Sequence, residues 1–508
     1  MKEYYSYMGQ TGFNNEKYVE EQSKAIIERA GQFDKLYLEF GGKLMFDYHA
    51  SRVLPGYHFN AKMQVIKNLA KTKKIEFIFC ISAKDLENKK QVSSLGISYR
   101  DFTLKMIDSV KSYGFNVSTI VINLFNKQKK AKELGTYLKT KGFAVYYRKI
   151  IKNYPTNLTN VRKGYAKKPF IKTMSPIVIV AGAGPGSGKL ATCLTMVYQD
   201  YLMNKDSGYA KFETFPVKNL PLKSPINGAY EAATADIGDY NLIDPYHKKK
   251  YHKNSVNYNR DVEAYTIIKK IIQKIISKNN YMKKYNSPTD MGINEISQGI
   301  ENQDICEQAS KQEIIMRWFK YNNEINDGYG SPQTISRMNS LMTKYNCKFK
   351  DRPIIDIARN LSEKIKGYEN VKVGSALLLP NGTIITGKNS APMHAEPHAI
   401  INALKELANI KRETEVISIN SLKQVKRLRK IIYDEDSEKN NIPEALLLLA
   451  VNAKNNDANK CLNQIHKLHS CHMHTTHKLM REDKSMLQQL GILYTSDGKI
   501  EIGKLYME

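Results

Sequence analysis

A chain of 508 residues with 42% hydrophobic and 10% aromatic content is long enough to bury several cores, roughly three units at usual domain sizes, and too apolar for a disordered polymer. No run approaches the ~20 apolar residues of a membrane helix, and six scattered cysteines with no Cys-x2-Cys pair argue against a disulfide scaffold and fit free thiols in a reducing cytoplasm. The formal net charge of +28 is spread along the chain, with one dense run at residues 248–250 and no helix-turn-helix, zinc-finger or RNP motif beside it, so it reads as solvated lysine surface and not as a specific nucleic-acid reader.

In chain order, residues 10–28 have the spacing of an amphipathic helix, and the amino end lacks the apolar core of a signal peptide. Short β-branched runs then recur at 36–40, 75–81, 119–123, 144–147 and 177–180, with helical stretches such as 61–71 and 99–113 between them. That alternation predicts a Rossmann-like, mostly parallel sheet covered on both faces, with ligands at the carboxyl ends of its strands. Two candidate sites fall there. After the first run come Gly41-Gly-Lys43, Asp47, His49 and Arg52, where Lys43 and Arg52 form a second anion-binding edge or an ordinary surface turn.

The other is Ala181-Gly-Ala-Gly-Pro-Gly-Ser-Gly-Lys189, which lies between an apolar strand and a helix starting at Leu190. Gly184, Gly186, Ser187, Gly188 and Lys189 have the composition of a phosphate cradle: backbone N–H groups, a helix start and an ammonium converge on one anion. Two positions depart from the P-loop pattern. Ala183 replaces its first glycine, and Leu190 replaces the hydroxyl that holds magnesium. The expected ligand is a phosphorylated small molecule, ATP or another nucleotide with magnesium among the candidates.

Residues 208–300 are rich in turns and short polar groups. Residues 209–216 read as extended and 229–236 as a short helix. Asp236, Asp239, Arg260 and Asp290 are the candidates for metal binding or proton transfer, against the plainer reading that such residues cap helices and close turns. Residues 305–370 read as helices broken near 328–332, and they hold the single tryptophan, Trp318.

From Val371 the pattern resets. Residues 375–379 and 383–386 around Asn381-Gly382 have a hairpin signature. Met393-His-Ala-Glu396 opens a helix to about 407, 416–419 is a third strand candidate, two helices follow, and 471–477 and 492–495 are extended. Hairpin, His-Ala-Glu, strand and helix resemble the fold of zinc-dependent nucleoside deaminases, in which the histidine holds zinc and the glutamate shuttles protons for a zinc-bound water. That resemblance makes His394, Cys471 and His474 candidate metal ligands and Glu396 a proton shuttle. The family's Pro-Cys-x-x-Cys half is absent, and strand alternation turns Cys471 away from His474, so zinc is not expected.

The chain as a whole resembles a bacterial family catalogued as domain of unknown function 1846. The likeness rests on Lys35-Leu-Tyr-Leu-Glu-Phe-Gly-Gly-Lys43, Asp47-Tyr-His-Ala-Ser-Arg-Val-Leu-Pro55, Gly184-Pro-Gly-Ser-Gly-Lys-Leu-Ala-Thr-Cys193, Gly208-Tyr-Ala-Lys-Phe-Glu-Thr-Phe-Pro216, Ala229-Tyr-Glu-Ala-Ala-Thr-Ala-Asp236, Asn257-Tyr-Asn-Arg-Asp261 and Ser287-Pro-Thr-Asp-Met-Gly292. It implies a soluble cytoplasmic multidomain protein without an established activity and with a deaminase-like carboxyl-terminal subdomain. The expected organisation is a Rossmann-like unit over 1–225, a mostly helical region over 226–370 and a deaminase-like α/β unit over 371–508. Its expected partners are a phosphorylated small molecule and a second copy of the chain, with no membrane and no specific nucleic acid.

Overall fold

The computed structural model describes residues 4–88, 91–92, 97–184, 186–366, 371–433 and 439–498; Pro185 of the glycine turn and 367–370, next to the expected start of the last unit, lie outside them. Seven parallel strands form the main sheet: β1 (Lys35–Phe40), β2 (Ile75–Ser82), β3 (Val117–Phe125), β4 (Ala144–Lys149), β5 (Ile177–Gly182), β6 (Ser207–Phe212) and β7 (Gly292–Ile293). Their order is β7-β6-β1-β5-β2-β3-β4. The sheet is buried on both sides because successive residues of each strand feed opposite cores. Leu36, Leu38, Ile177 and Ile179 face one side, and Tyr37, Val178 and Val180 face the other.

The position of β5 decides where loops converge. It is inserted between β1 and β2, and the chain leaves it past β1 towards β6, whereas from β2 it leaves the opposite way to β3. Loops after β5 and β2 therefore part at their carboxyl ends, the kind of switch point at which open α/β sheets take ligands. Helix Lys189–Leu202 follows β5 and packs Cys193, Leu194, Met196 and Val197 over Val178 and Val180.

Helices Pro225–Ala233, Gln303–Asn326 and Pro332–Lys344 add Ile226, Ala229, Ile314, Ile315, Phe319 and Met338 to the core that holds Leu36 and Ile177. No helix among the described residues is long and apolar enough to cross a membrane.

The carboxyl-terminal sheet runs β9-β8-β10-β11, with β8 (Gly374–Leu378), β9 (Ile384–Lys388), β10 (His472–Thr475) and β11 (Leu493–Ser496). β8 is antiparallel to β9 and β10, and β10 is parallel to β11. The hairpin β8–β9 turns at Asn381-Gly382, where Gly382 has φ +89°. The expected strand at 416–419 is not formed. Val416 and Ile417 are buried under the neighbouring helices, the N–H of Ser418 donates to Asn452 Oδ1 (3.2 Å), and helix Ile419–Tyr433 begins at once. A short apolar run fills a core equally well without a ladder.

One side chain stitches this sheet to the rest. Arg352 is buried, with Nη2 donating to the carbonyls of Leu493 (2.7 Å) and Met473 (3.2 Å), and Nη1 to His472 Nδ1 (2.7 Å) and Gln312 Oε1 (3.2 Å). Burial and Arg352 hold His472 well below its ordinary pKa, so its Nδ1 is free of a proton and accepts. Arg352→Met strands these acceptors. We expect a loss of about 3 kcal/mol of stability, read by urea unfolding, with faster hydrogen exchange at 472–475 and 493–496 than in the main sheet.

Candidate functional site

The glycine turn lies at the carboxyl end of β5, at the switch point. Gly186 and Gly188 are left-handed, at φ +75° and +82°, and Gly188 is the N-cap of the 14-residue helix, which has no side-chain cap. Gly186 is exposed, with no atom within 4 Å of the position a Cβ would take. The Lys189 amine bends back over the turn to the carbonyl of Gly184 (3.4 Å). Ser187 is buried, and its hydroxyl has no hydrogen-bond partner among the described residues. Asn123 on β3 fixes the turn from below, donating to the Ser187 carbonyl (2.8 Å) and the Thr192 hydroxyl (3.2 Å). Thr192 is fully buried and so engaged, and it cannot replace the hydroxyl missing at Leu190.

Beside the turn, Glu39 on β1 is in register with Lys211 on β6, so both side chains leave the same face. Tyr209 donates to Glu39 (2.9 Å). Lys211 pairs with Glu213 (2.6 Å) and, more closely still, with Asp261. Burial opposes charge on Lys211, but Asp261, Glu213 and Glu39 outweigh it and keep its pKa well above the ordinary value. Burial raises Glu213, and Lys211 only partly offsets this. One ammonium thus faces three carboxylates at the sheet edge.

Of the expected acid–base set, Asp239 and Arg260 are joined at 2.6 Å. Burial raises Asp239, with Asp261 and Asp236 adding to the effect, so these carboxylates share one neighbourhood. Asp236 is exposed and accepts from Tyr321 (3.3 Å). Asp290 is not brought to them. Its carboxylate accepts from the N–H groups of Asn286 (2.8 Å) and Ser287 (3.1 Å) and from the Tyr251 hydroxyl (2.9 Å), completing a capping box.

The turn after β1 is held by buried Lys62, which donates to the Lys43 carbonyl (2.9 Å) and pairs with Asp47 (3.0 Å). Arg52 is not available as a free anion donor, because it makes two bonds to Glu313, at 2.7 and 2.9 Å. Arg317 donates to the same carboxylate (2.8 Å), and His49 Nδ1 lies 3.2 Å from it. Burial lowers the Lys43 amine to about 8.

In the carboxyl-terminal unit the residues named from the deaminase resemblance do not assemble. Cys471 points into the core with Met473, whereas His474 points to the other side of β10, against Thr495 (2.8 Å) and Asp497 (3.5 Å). His394, lowered to about 4 by burial and then by Lys439 and Arg429, lies near His477. Glu396 is buried, bonded to Thr475 and raised by burial. Among the described residues no three His, Cys, Asp or Glu side chains are placed to hold a metal.

Sequence reasoning missed Lys211, Glu213, Glu313 and Arg317. Lys211 and Glu213 sit two apart at the end of an extended run, the spacing that puts both on one face. Glu313 and Arg317 are four apart in a helix whose Ile314 and Ile315 are core.

Residues 11–346 match the family model for the domain of unknown function DUF1846, N-terminal, and residues 350–506 match its C-terminal counterpart. The chain belongs to the DUF1846 family. It is 41% identical over 501 residues to a UPF0371 protein of Clostridium botulinum (strain Alaska E43 / Type E3) and to one of Clostridium tetani (strain Massachusetts / E88), covering 97% of this chain and 99% of each relative. A UPF0371 protein of Fusobacterium nucleatum subsp. nucleatum is 41% identical over 505 residues, with the same coverage.

In this DUF1846 protein burial disfavours the Glu313 carboxylate, yet Arg52 and Arg317 hold its pKa well below the ordinary value. The stability it contributes is full above the unfolded carboxyl pKa of about 4.3 and is lost as pH falls below it. Glu313→Gln leaves two guanidinium groups uncompensated. We expect it to cost about 3–5 kcal/mol at neutral pH, with the gap to wild type narrowing in urea unfolding as pH falls from about 5 to 3.

Proposed function

We propose that this protein is an enzyme that binds a nucleotide or another phosphorylated small molecule through the turn at 184–189. The observation that carries the reading is Gly188: left-handed, directly after the central strand, it opens a 14-residue helix whose first N–H groups have no side-chain cap. Lys189 adds the charge, and its amine already lies over the turn. In this reading the sheet is Rossmann-like, and the ligand's reacting part lies towards Glu39, Lys211, Glu213 and Asp261. Glu213, whose carboxyl pKa burial raises, is the candidate acid. Asp239 and Arg260 line the same edge. Nucleoside triphosphate hydrolysis is not part of the proposal, because Leu190 stands where a hydroxyl would hold magnesium.

The carboxyl-terminal unit is read as a deaminase-like scaffold without metal. What favours the deaminase-like part of this reading is Glu396, buried in the first turn of the helix behind the hairpin, with one carboxylate oxygen lacking any partner among the described residues. A cytoplasmic, homo-oligomeric protein completes the reading. The cysteines are all buried, and Leu428, Ile431, Leu447 and Val451 stand exposed on two neighbouring helices.

A thermal-shift screen with ATP, GTP, NAD and sugar phosphates tests the ligand. At a hundredfold excess over Kd the binder should stabilise the protein by about 2.7 kcal/mol, and Lys189→Ala should abolish the shift. Ligand binding that survives Lys189→Ala removes the turn from the account. Elemental analysis of protein purified without a histidine tag should find zinc, copper and iron well below stoichiometric; one bound metal per chain overturns the metal-free scaffold.

A further inference from the structure

A second charged cleft lies on the opposite side of β1 from the Glu39–Lys211 row. Helix Gln303–Asn326 carries Glu313, Arg317 and Lys320 at i, i+4 and i+7, hence on one stripe. Side-chain exposure climbs along it from 1% to 17% to 44%, so a carboxylate is the floor and an ammonium the rim. His49 and Arg52 reach the floor from helix Tyr48–Val53, and Lys43 approaches from the turn after β1. The Phe215 and Tyr230 rings flank the imidazole, with centroids at 5.5 and 5.9 Å.

Two features of this cleft stand out. First, cations outnumber anions at its floor: Arg52 and Arg317 share the one carboxylate of Glu313, while Asp47 is taken by Lys62 and Glu324 sits on Lys320 at the rim. Burial disfavours charge on Lys43, Asp47 favours it, and Arg52, Arg317 and Lys320 add smaller opposition. Second, His49 Nε2 is buried and has no hydrogen-bond partner among the described residues. With an ionised carboxylate against Nδ1, the ring carries its hydrogen there and presents a lone pair at Nε2.

We propose that this cleft is an oxyanion subsite that takes up a proton as it fills: a carboxylate or phosphate group of the ligand docks against Lys43, Arg317 and Lys320, and His49 becomes imidazolium, donating from Nδ1 to Glu313 and from Nε2 to the anion. The proton comes from solvent, and no covalent bond changes. This deepens the phosphate-ligand reading by giving the ligand a second anionic group, and it rests on that reading only for the claim that one molecule spans both places.

The groups that face the imidazole set its pH dependence. They are Glu313 and Arg317 from the long helix, Arg52 and Asp47 from its own, Lys43 from the turn, and Tyr230 beside it; Tyr5 lies behind Arg52 and Glu313. Burial, with Arg317 and Arg52, holds the empty site's imidazole below its ordinary pKa and therefore neutral at pH 7, although Glu313 pulls the other way. A bound anion reverses the balance, so affinity rises as pH falls from 8 towards 6. Lys43, at about 8, is mostly charged at pH 7, so uptake measured there reports the imidazole.

The test is calorimetric titration of the full chain at pH 7 with sulfate and with succinate, neither of which titrates near that pH, in buffers of different ionisation enthalpy. Saturable binding with about one proton taken up per anion is expected. Sulfate alone points to a phosphate group and succinate alone to a carboxylate. His49→Gln should bind without uptake, and Lys320→Ala, at the exposed rim, should weaken binding about fivefold while keeping it. Lys189→Ala should leave the uptake intact, which separates this cleft from the glycine turn. The proposal is overturned by binding without uptake in the wild type, by uptake that survives His49→Gln or vanishes in Lys189→Ala, or by no saturable binding of either anion. Should His49→Gln not fold, the Lys320→Ala result decides.

Discussion

A carboxylate in the middle of a helix, nearly sealed from water, is the interaction around which this molecule is arranged. Burying Glu313 is affordable only because two guanidinium groups and an imidazole meet it there. Those partners come from the helix itself and from the segment after the first strand, so the carboxylate fixes the long helix against the carboxyl edge of the sheet. The aromatic residues after β6 and on helix Pro225–Ala233 then close around His49. Without that knot the turn after β1 would have no reason to stand where it does.

The second organising constraint is topological. A parallel sheet needs cover on both faces, and inserting β5 between β1 and β2 sends its following helix to the face opposite those that follow β1 and β2. The glycine turn, the Glu39–Lys211 row and the Lys43 turn consequently share one edge, although they are distant in sequence. The environments at that edge differ: burial raises Glu213, whereas Arg52 and Arg317 hold Glu313 low.

Five strands of the sheet were legible as short apolar runs, the mark of a strand covered on both sides. β6, which holds Ser207, Gly208 and Lys211, showed only as an extended stretch over 209–216, and β7 did not show, since two residues carry no period. Residues 416–419 misled for the converse reason: Val416 and Ile417 are apolar for packing, not pairing. The glycine turn and the turn after β1 could be read as candidate anion sites from residue types alone. The partner of Arg52 could not, because Glu313 lies 261 positions away and a local pattern carries no distant pairing. Asp290 looks like its acidic neighbours in the sequence, and the structure sets it apart from them, with Oδ2 taken by the N–H groups of Asn286 and Ser287 and by Tyr251. Cys471 and His474 illustrate a limit of spacing arguments, as adjacent parity on a strand sends them to different sides.

Gln312 and Glu313 are consecutive, and both reach out from one turn of the long helix: Gln312 accepts from Arg352, which holds the carboxyl-terminal strands, and Glu313 accepts from Arg52 beside the His49 imidazole. That turn, together with Asn323 on Ser496 and Lys478 on Asp327 further along the same helix, ties the carboxyl-terminal sheet to the rest of the molecule. Parting the carboxyl-terminal sheet from the long helix would strip a buried guanidinium of its acceptors, so this seam carries a heavy penalty for opening.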